Sequence, residues 1–391
     1  MRAFLLLLLS SILWATAFPT TIRAQSELKP LKVAVRYDFA QRIRFEVQVE
    51  ASLNLQDPRV WFQVEGQPFT EQVAMQNVGE GQWVAEYTRL EMIPVFSHLV
   101  FWIEAEQGSR SLLSPRYRFR YLDNRFPWQT RQEGVIRVFW YEGDTRFAQM
   151  LLDTALRGVQ GIESQLGLSI DAPLEIYVYP SGAELQSALP YGGFGWESGH
   201  ASPKLGVALV AITPGPNQSL VAERLIPHEM LHILLYRRLG KGYDSLPLWL
   251  REGLAKMVEL SPDADAERVV RQAIANGTSI PMRDLCQTFP LEAGAAYLSY
   301  AQSLSFVRYL LETYGKSALQ ELLRTYADGI ACEQGVVKVY GKSLSALEYE
   351  WRVTLGGGIL WQGVFRNLAS YLLLLIILLG YPLIPLLRRK K

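Results

Sequence analysis

His228, Glu229 and His232 stand in the order His-Glu-Met-Leu-His, in a chain of 391 residues with only four histidines. Two histidines four positions apart project from one face of a helix, where a single zinc ion can accept a nitrogen from each. Glu229 follows the first of them. A carboxylate there can take a proton from water at the metal and later deliver it to a leaving amine. Zinc catalysis needs three protein ligands and an open fourth position. Glu252, in the run Trp249-Leu250-Arg251-Glu252-Gly253-Leu254-Ala255, supplies the third, with 19 residues between it and His232. That distance suits a first helix ending near Gly240, a turn from Gly242 to Pro247 and a returning helix. Gly253 and Ala255 are small enough to let the second helix pack close to the first. Pro227, directly before the motif, lacks a backbone donor and is expected to bend or restart the first helix.

These helices need a scaffold. From residue 135 the chain reads as mixed α/β. Strands are expected at 135–141, 174–179 and 207–212, and a loop with four glycines at 191–204. Asp144 can cap a helix in which Phe147, Met150, Leu151, Val159, Ile162 and Leu166 recur at helical spacing, ended by Gly167. Beyond Asn217 nearly everything reads as helical, to about Thr354. Residues 31–121 read differently: Ile43, Phe45, Val47 and Val49 alternate with Arg44, Glu46, Gln48 and Glu50, the period of a half-buried strand. Six or seven such strands in about 90 residues predict an immunoglobulin-like β-sandwich over 25–122, a spacer or a binding surface. Residues 123–134, with Pro127, read as a linker.

Composition narrows the classes. Hydrophobic residues make up 49% and charged residues 20%, which excludes a disordered chain. The net charge of +1 provides no basic field for nucleic acid. Arg2, the apolar run 3–14 and the small residues up to Ala24 have the layout of a secretory signal over 1–24, cleaved after Ala17 or Ala24. Residues 368–387 carry no charge and are long enough for a single transmembrane helix. The juxtamembrane stretch 356–367 precedes it, and the basic residues 388–391 are expected on the cytoplasmic side. The expected localisation is therefore the cell membrane, single-pass, with the large domain extracytoplasmic. In an oxidising compartment Cys286 and Cys332 either pair as a disulfide or remain two unrelated thiols.

The HExxH run followed by W-L-x-E-G-L-A resembles the gluzincin zinc metallopeptidases, and most closely the peptidase MA-like domain. The second half of that family is matched by Tyr300-Ala301-Gln302-Ser303-Leu304-Ser305-Phe306-Val307-Arg308-Tyr309-Leu310, by Tyr314-Gly315, and by Gly341-Lys342-Ser343-Leu344 with Glu348 and Trp351. The resemblance covers a domain over 135–355. It implies a mixed sheet followed by a helical lobe, one Zn2+ ion held by His228, His232 and Glu252, and Glu229 as the catalytic carboxylate. It also implies a tyrosine that steadies the oxyanion, Tyr300 or else Tyr297, and an edge strand at 207–212 along which a polypeptide substrate lies. The G-x-M-E-N run of aminopeptidases is absent, so exopeptidase action is not implied. His200 is either a substrate contact or a surface residue. Glu259 either orients a ligand histidine or is a solvated charge.

The expected fold class is thus α+β: an N-terminal Ig-like β-sandwich, a gluzincin-like metallopeptidase domain and a C-terminal single transmembrane helix. The expected function is a membrane-anchored extracytoplasmic zinc metallopeptidase. The alternative is a cell-surface binding protein that keeps the metallopeptidase fold without turnover.

Overall fold

A computed structural model describes residues 25–189 and 198–356. The chain divides into two compact units between Asn124 and Arg125. Among its described residues the first unit has strands β1 (Gln25–Glu27), β2 (Lys32–Asp38), β3 (Arg42–Gln48), β4 (Gln56–Val64), β5 (Thr70–Ala74), β6 (Gln76–Gly79), β7 (Gln82–Tyr87), β8 (His98–Gln107), β9 (Arg110–Leu113) and β10 (Tyr117–Arg120). One sheet runs β1-β9-β8-β4-β5, with β10 also paired to β8, and the other runs β2-β3-β7-β6. The alternation in β3 sorts its side chains: Ile43, Phe45 and Val47 are buried. Phe45 meets Phe62 and Phe101 of the other sheet, with ring centroids 5.7 and 5.1 Å apart. Aromatic contacts of this kind join the two inner faces of the sandwich.

The second unit is built on a five-stranded sheet of β11 (Gln129–Glu133), β12 (Ile136–Trp140), β13 (Leu174–Tyr179), β14 (Gly199–Ser202) and β15 (Val207–Ala211), in the order β11-β12-β13-β15-β14. The three inner strands run parallel and the two outer strands antiparallel. Two expectations change here. Residues 129–133, read as part of a linker, form an edge strand; all five side chains are exposed, so no apolar alternation marks it. Residues 207–211 lie inside the sheet, between β13 and β14. Their near-continuous apolar run, Val-Ala-Leu-Val-Ala, is what burial on both faces requires. The edge strand on that side of the sheet is β14.

The helices are α1 (Thr145–Leu166), α2 (Gly182–Ala188), α3 (Gln218–Leu239), α4 (Leu248–Met257), α5 (Ala266–Asn276), α6 (Ala293–Ala327), α7 (Cys332–Tyr340) and α8 (Leu344–Thr354). Asp144 caps α1 by accepting from the backbone N–H groups of Arg146 and Phe147, and Gly167 ends it in the left-handed conformation at φ 71°. Cys286 and Cys332 are joined in a disulfide. The segment carrying Cys286 closes the start of α4: the N–H groups of Leu248 and Trp249, which lack helical partners, donate to the carbonyls of Cys286 and Leu285 at 2.8 and 3.0 Å. The Trp249 indole N–H points at Cys332 Sγ, 3.4 Å away.

Gly253 sets how closely α4 approaches α6. A Cβ at this position would lie 2.5 Å from the Ser303 carbonyl oxygen and 2.6 Å from Val307 Cγ2. The clash is partly with backbone, so it is relieved only by parting the helices. Gly253→Ala is expected to destabilise the second unit by about 1–3 kcal/mol, read as a lower denaturation midpoint. An unchanged midpoint would show that the two helices have slack between them.

The membrane reading is corrected. No helix among the described residues is long and apolar enough to cross a membrane. The long helices carry charges along their length, such as Arg146, Asp153 and Arg157 in α1 or Arg308, Glu312 and Lys316 in α6. Their apolar residues belong to the protein's own core, where Leu151, Ile226, Leu234 and Phe306 are buried. The fold class is therefore α+β with no membrane-spanning helix among the described residues. The single-pass, extracytoplasmic localisation is not supported. The stretches that suggested it, 1–24 and 368–387, lie outside the described residues, as does 190–197 of the expected glycine-bearing loop.

Candidate metal centre

Helix α3 runs through Pro227 without ending. Pro227 has no N–H to give to the Glu223 carbonyl one turn earlier, and that carbonyl accepts instead from the Leu260 N–H at 2.9 Å. Arg224 Nε adds a bond to the Ser261 carbonyl at 3.1 Å. The proline therefore opens an acceptor to which the segment after α4 docks, just ahead of the two histidines. Gly158 on α1 allows the approach from the other side: a Cβ there would stand 3.2 Å from the Pro227 ring.

On this frame His228, His232 and Glu252 converge. One donor atom from each lies within 4.8 Å of the other two. Glu252 Oε2 is 3.4 Å from His228 Nε2 and 3.6 Å from His232 Nε2. Ligands about 2.0–2.1 Å from a tetrahedral zinc ion stand about 3.4 Å apart, so the donor set fits such an ion in type and spacing. Glu259 stands behind His228, its Oε1 3.2 Å from Nδ1. Lys256 Nζ pairs with Glu259 at 2.8 Å. Behind His232 the Tyr243 hydroxyl lies 3.1 Å from Nδ1. Each imidazole thus turns Nε2 to the shared point and Nδ1 to a partner.

Glu229 is buried, 6% exposed, and lines a pocket of about 250 Å³ with His228, Glu259, Tyr297 and Tyr300. Gly199 of the edge strand β14 leaves room for the carboxylate: a Cβ there would lie 2.3 Å from Glu229 Oε1. The two candidate tyrosines differ. Tyr297 donates its hydroxyl to Asp263 Oδ2 at 2.7 Å, whereas the Tyr300 ring lies 6.4 Å from the His228 ring. His200 lies in β14, half-buried. Burial, and then His232, lower its pKa and keep it neutral.

Burial favours the neutral forms of Glu252 and His228, but their mutual attraction outweighs it. His232 and His228 hold the Glu252 carboxyl well below the usual carboxylate range. Glu252 and Glu259 push His228 up to about 10. A metal-free site therefore keeps a proton on His228 at neutral pH, and a metal ion must displace it. Zinc uptake at pH 7 is expected to release about one proton per ion from this site, with affinity falling about tenfold per pH unit of acidification. Titration in a weakly buffered indicator solution measures the release. Uptake without it would mean that His228 is neutral in the free protein.

The sequence singled out the three donors, Glu229 and Glu259. It did not single out Tyr243, Lys256 or Gly199, because no spacing rule ties a turn tyrosine or an edge-strand glycine to a helix elsewhere.

Residues 154–357 match the peptidase MA superfamily, whose metallopeptidase-like fold the second unit has. No curated protein matches the chain. Among solved structures, an M1 zinc metallopeptidase from Deinococcus radiodurans is similar at 14% identity and a TM-score of 0.34, covering 85% of this chain and 91% of that one. An aminopeptidase N family protein from Idiomarina loihiensis is similar at 11% identity and a TM-score of 0.38, covering 76% and 70%. Aminopeptidase A from Legionella pneumophila is similar at 12% identity and a TM-score of 0.34, covering 82% and 49%.

Proposed function

The chain belongs to the peptidase MA superfamily, and on that premise we propose that it is a zinc-dependent peptidase that hydrolyses peptide bonds at the His228–His232–Glu252 centre. The observation that carries this reading is the convergence of two imidazole nitrogens and one carboxylate oxygen beside a buried fourth group, Glu229. A set that only held the fold together would have no use for that extra carboxylate in the pocket.

When bound, a zinc ion supplies a Lewis acid that polarises a peptide carbonyl and lowers the pKa of water toward neutrality. The chain's own groups do the rest. Nε2 of each histidine and Oε2 of Glu252 hold the ion. Glu259 and the Tyr243 hydroxyl keep the imidazole rings turned, each accepting the proton on Nδ1. A Glu229 carboxylate oxygen takes the proton from the attacking water and returns it to the departing amine nitrogen. Tyr300 lines the same pocket, its ring 6.4 Å from that of His228, and donates its hydroxyl to the developing oxyanion. The edge strand β14 offers backbone groups to an extended polypeptide, a pairing tolerant of side-chain sequence.

The test is cleavage of an unfolded casein-type substrate by the full chain, with metal analysis before and after chelation. About one zinc per chain, activity lost on chelation and activity restored by zinc are expected. A zinc-loaded chain that cleaves none of a varied set of unfolded polypeptides would sink the peptidase reading.

A further inference from the structure

A second and larger cleft, of about 470 Å³, opens beside the metal pocket, and Asp263, Ala266 and Ala301 line both. It follows α6 away from Tyr300. Ala301, Ser305, Arg308 and Glu312 all line it, and their spacing of four, three and four residues places them on one stripe of the helix. The cleft is thus a furrow that starts at the metal pocket and runs along α6.

The charges in this furrow are unequal in what they can do. Arg271 is committed, with Nη2 2.6 Å from Glu267 Oε1 and Nη1 donating to the Leu355 carbonyl at 2.9 Å. Asp263 accepts from the Tyr297 hydroxyl and the Asp265 N–H. Glu267 is taken up by Arg271. Arg308 is half-buried in the wall, and among the described residues no carboxylate or carbonyl pairs with it. Other cations of the helical lobe have found partners: Arg268 with Asp265, Arg324 with Glu321, Arg352 with Glu348 and Lys342 with Glu350. A guanidinium withdrawn from solvent gains most from a carboxylate, which can meet its planar donors in pairs. Glu312 lies one turn further out and repels an incoming carboxylate, which bounds the favourable position on that side.

We propose that Arg308 is the anchor of a substrate subsite for a carboxylate. This rests on the peptidase reading above and specifies which polypeptides the site favours. From Tyr300 to Arg308 the helix advances eight residues, about 12 Å. An extended peptide covers that distance in about three to four residues. The favoured carboxylate therefore sits three or four residues from the bond at the metal. It is either an acidic side chain or the free C-terminus of a short peptide; the two present the same chemistry to Arg308.

Binding, rather than turnover, gives the decisive test. Fluorescent peptides in which one glutamate is walked along an otherwise neutral sequence, and a matched pair ending in a free carboxylate or an amide, are titrated into the full zinc-loaded chain by anisotropy. One glutamate position, or the free C-terminus at one peptide length, is expected to bind about tenfold more tightly than the neutral peptide. Arg308→Gln should bring that ratio close to one, and Arg308→Lys should restore part of it, which a general loss of fold would not do. A ratio near one at every position and length in the wild type, or an advantage that survives Arg308→Gln, overturns the inference. If the Arg308-dependent advantage is present but no peptide is cleaved, the subsite stands and the peptidase reading fails.

Discussion

Glu229→Gln is expected to lower peptide cleavage by about 10²–10⁴-fold, while zinc content and fold stay close to wild type. Glutamine keeps the length and hydrogen-bonding capacity of the side chain but accepts no proton near neutral pH. At about 1.4 kcal/mol per tenfold, the loss corresponds to roughly 3–5 kcal/mol of transition-state stabilisation. The metal should remain because the three convergent donors are His228, His232 and Glu252. Surroundings that hold Glu229 in place, including the space left by Gly199, are undisturbed by an isosteric change. Single-turnover cleavage with zinc analysis on the same sample separates the outcomes. Equal cleavage by wild type and variant would place the activity elsewhere and end the mechanism proposed here. A loss of zinc in parallel with activity would instead make Glu229 part of the metal's own shell.

The second large effect concerns Glu252. Glu252→Gln removes the only anion among the three convergent donors. It also leaves His228, which Glu252 and Glu259 hold protonated in the free protein, with one carboxylate fewer in contact. Loss of an outer-sphere partner typically weakens metal binding by about 10–100-fold, and loss of a direct ligand should exceed that range. The expected result is a variant that gives up its zinc to a chelator the wild type withstands. The first unit should unfold as before, since Glu252 lies in the second. Retention of zinc at wild-type affinity would make Glu252 a plain helix charge and require a different third donor.

Much of the centre was legible because its information is local. His228 and His232 share a face through helical periodicity alone. The distance to Glu252 is what a helix, a short turn and a returning helix take up. Gly253 marked a close helix contact, expected against the helix of the two histidines but made against α6, and Asp144 and Gly167 marked the ends of α1 by chemistry that acts within three residues. The inward alternation of Ile43, Phe45 and Val47 was likewise readable, because a strand sorts its side chains by parity.

The remaining features depend on contacts between segments distant in sequence, which carry no period. Tyr243 reaches His232 from a turn. Glu259 reaches His228 because the Leu260 N–H fills the acceptor that Pro227 leaves open at Glu223; a proline read along the chain announces only a missing bond, not what replaces it. Which strand is the edge was also beyond the sequence. Residues 129–133 form an outer strand with every side chain exposed, so burial printed no pattern on them, while 207–211 owe their apolar run to being covered on both faces. The membrane reading rested on hydropathy alone, in a stretch outside the described residues; among the described residues no helix is long and apolar enough to cross a membrane. The sequence by itself determined that His228, His232 and Glu252 come together and which helices carry them, through spacing that acts within a few turns. The tertiary structure alone decided what stands behind His228 and His232, which strand forms the sheet edge beside Glu229 and which arginine lines the furrow, because those follow from packing between segments of chain that no local rule connects.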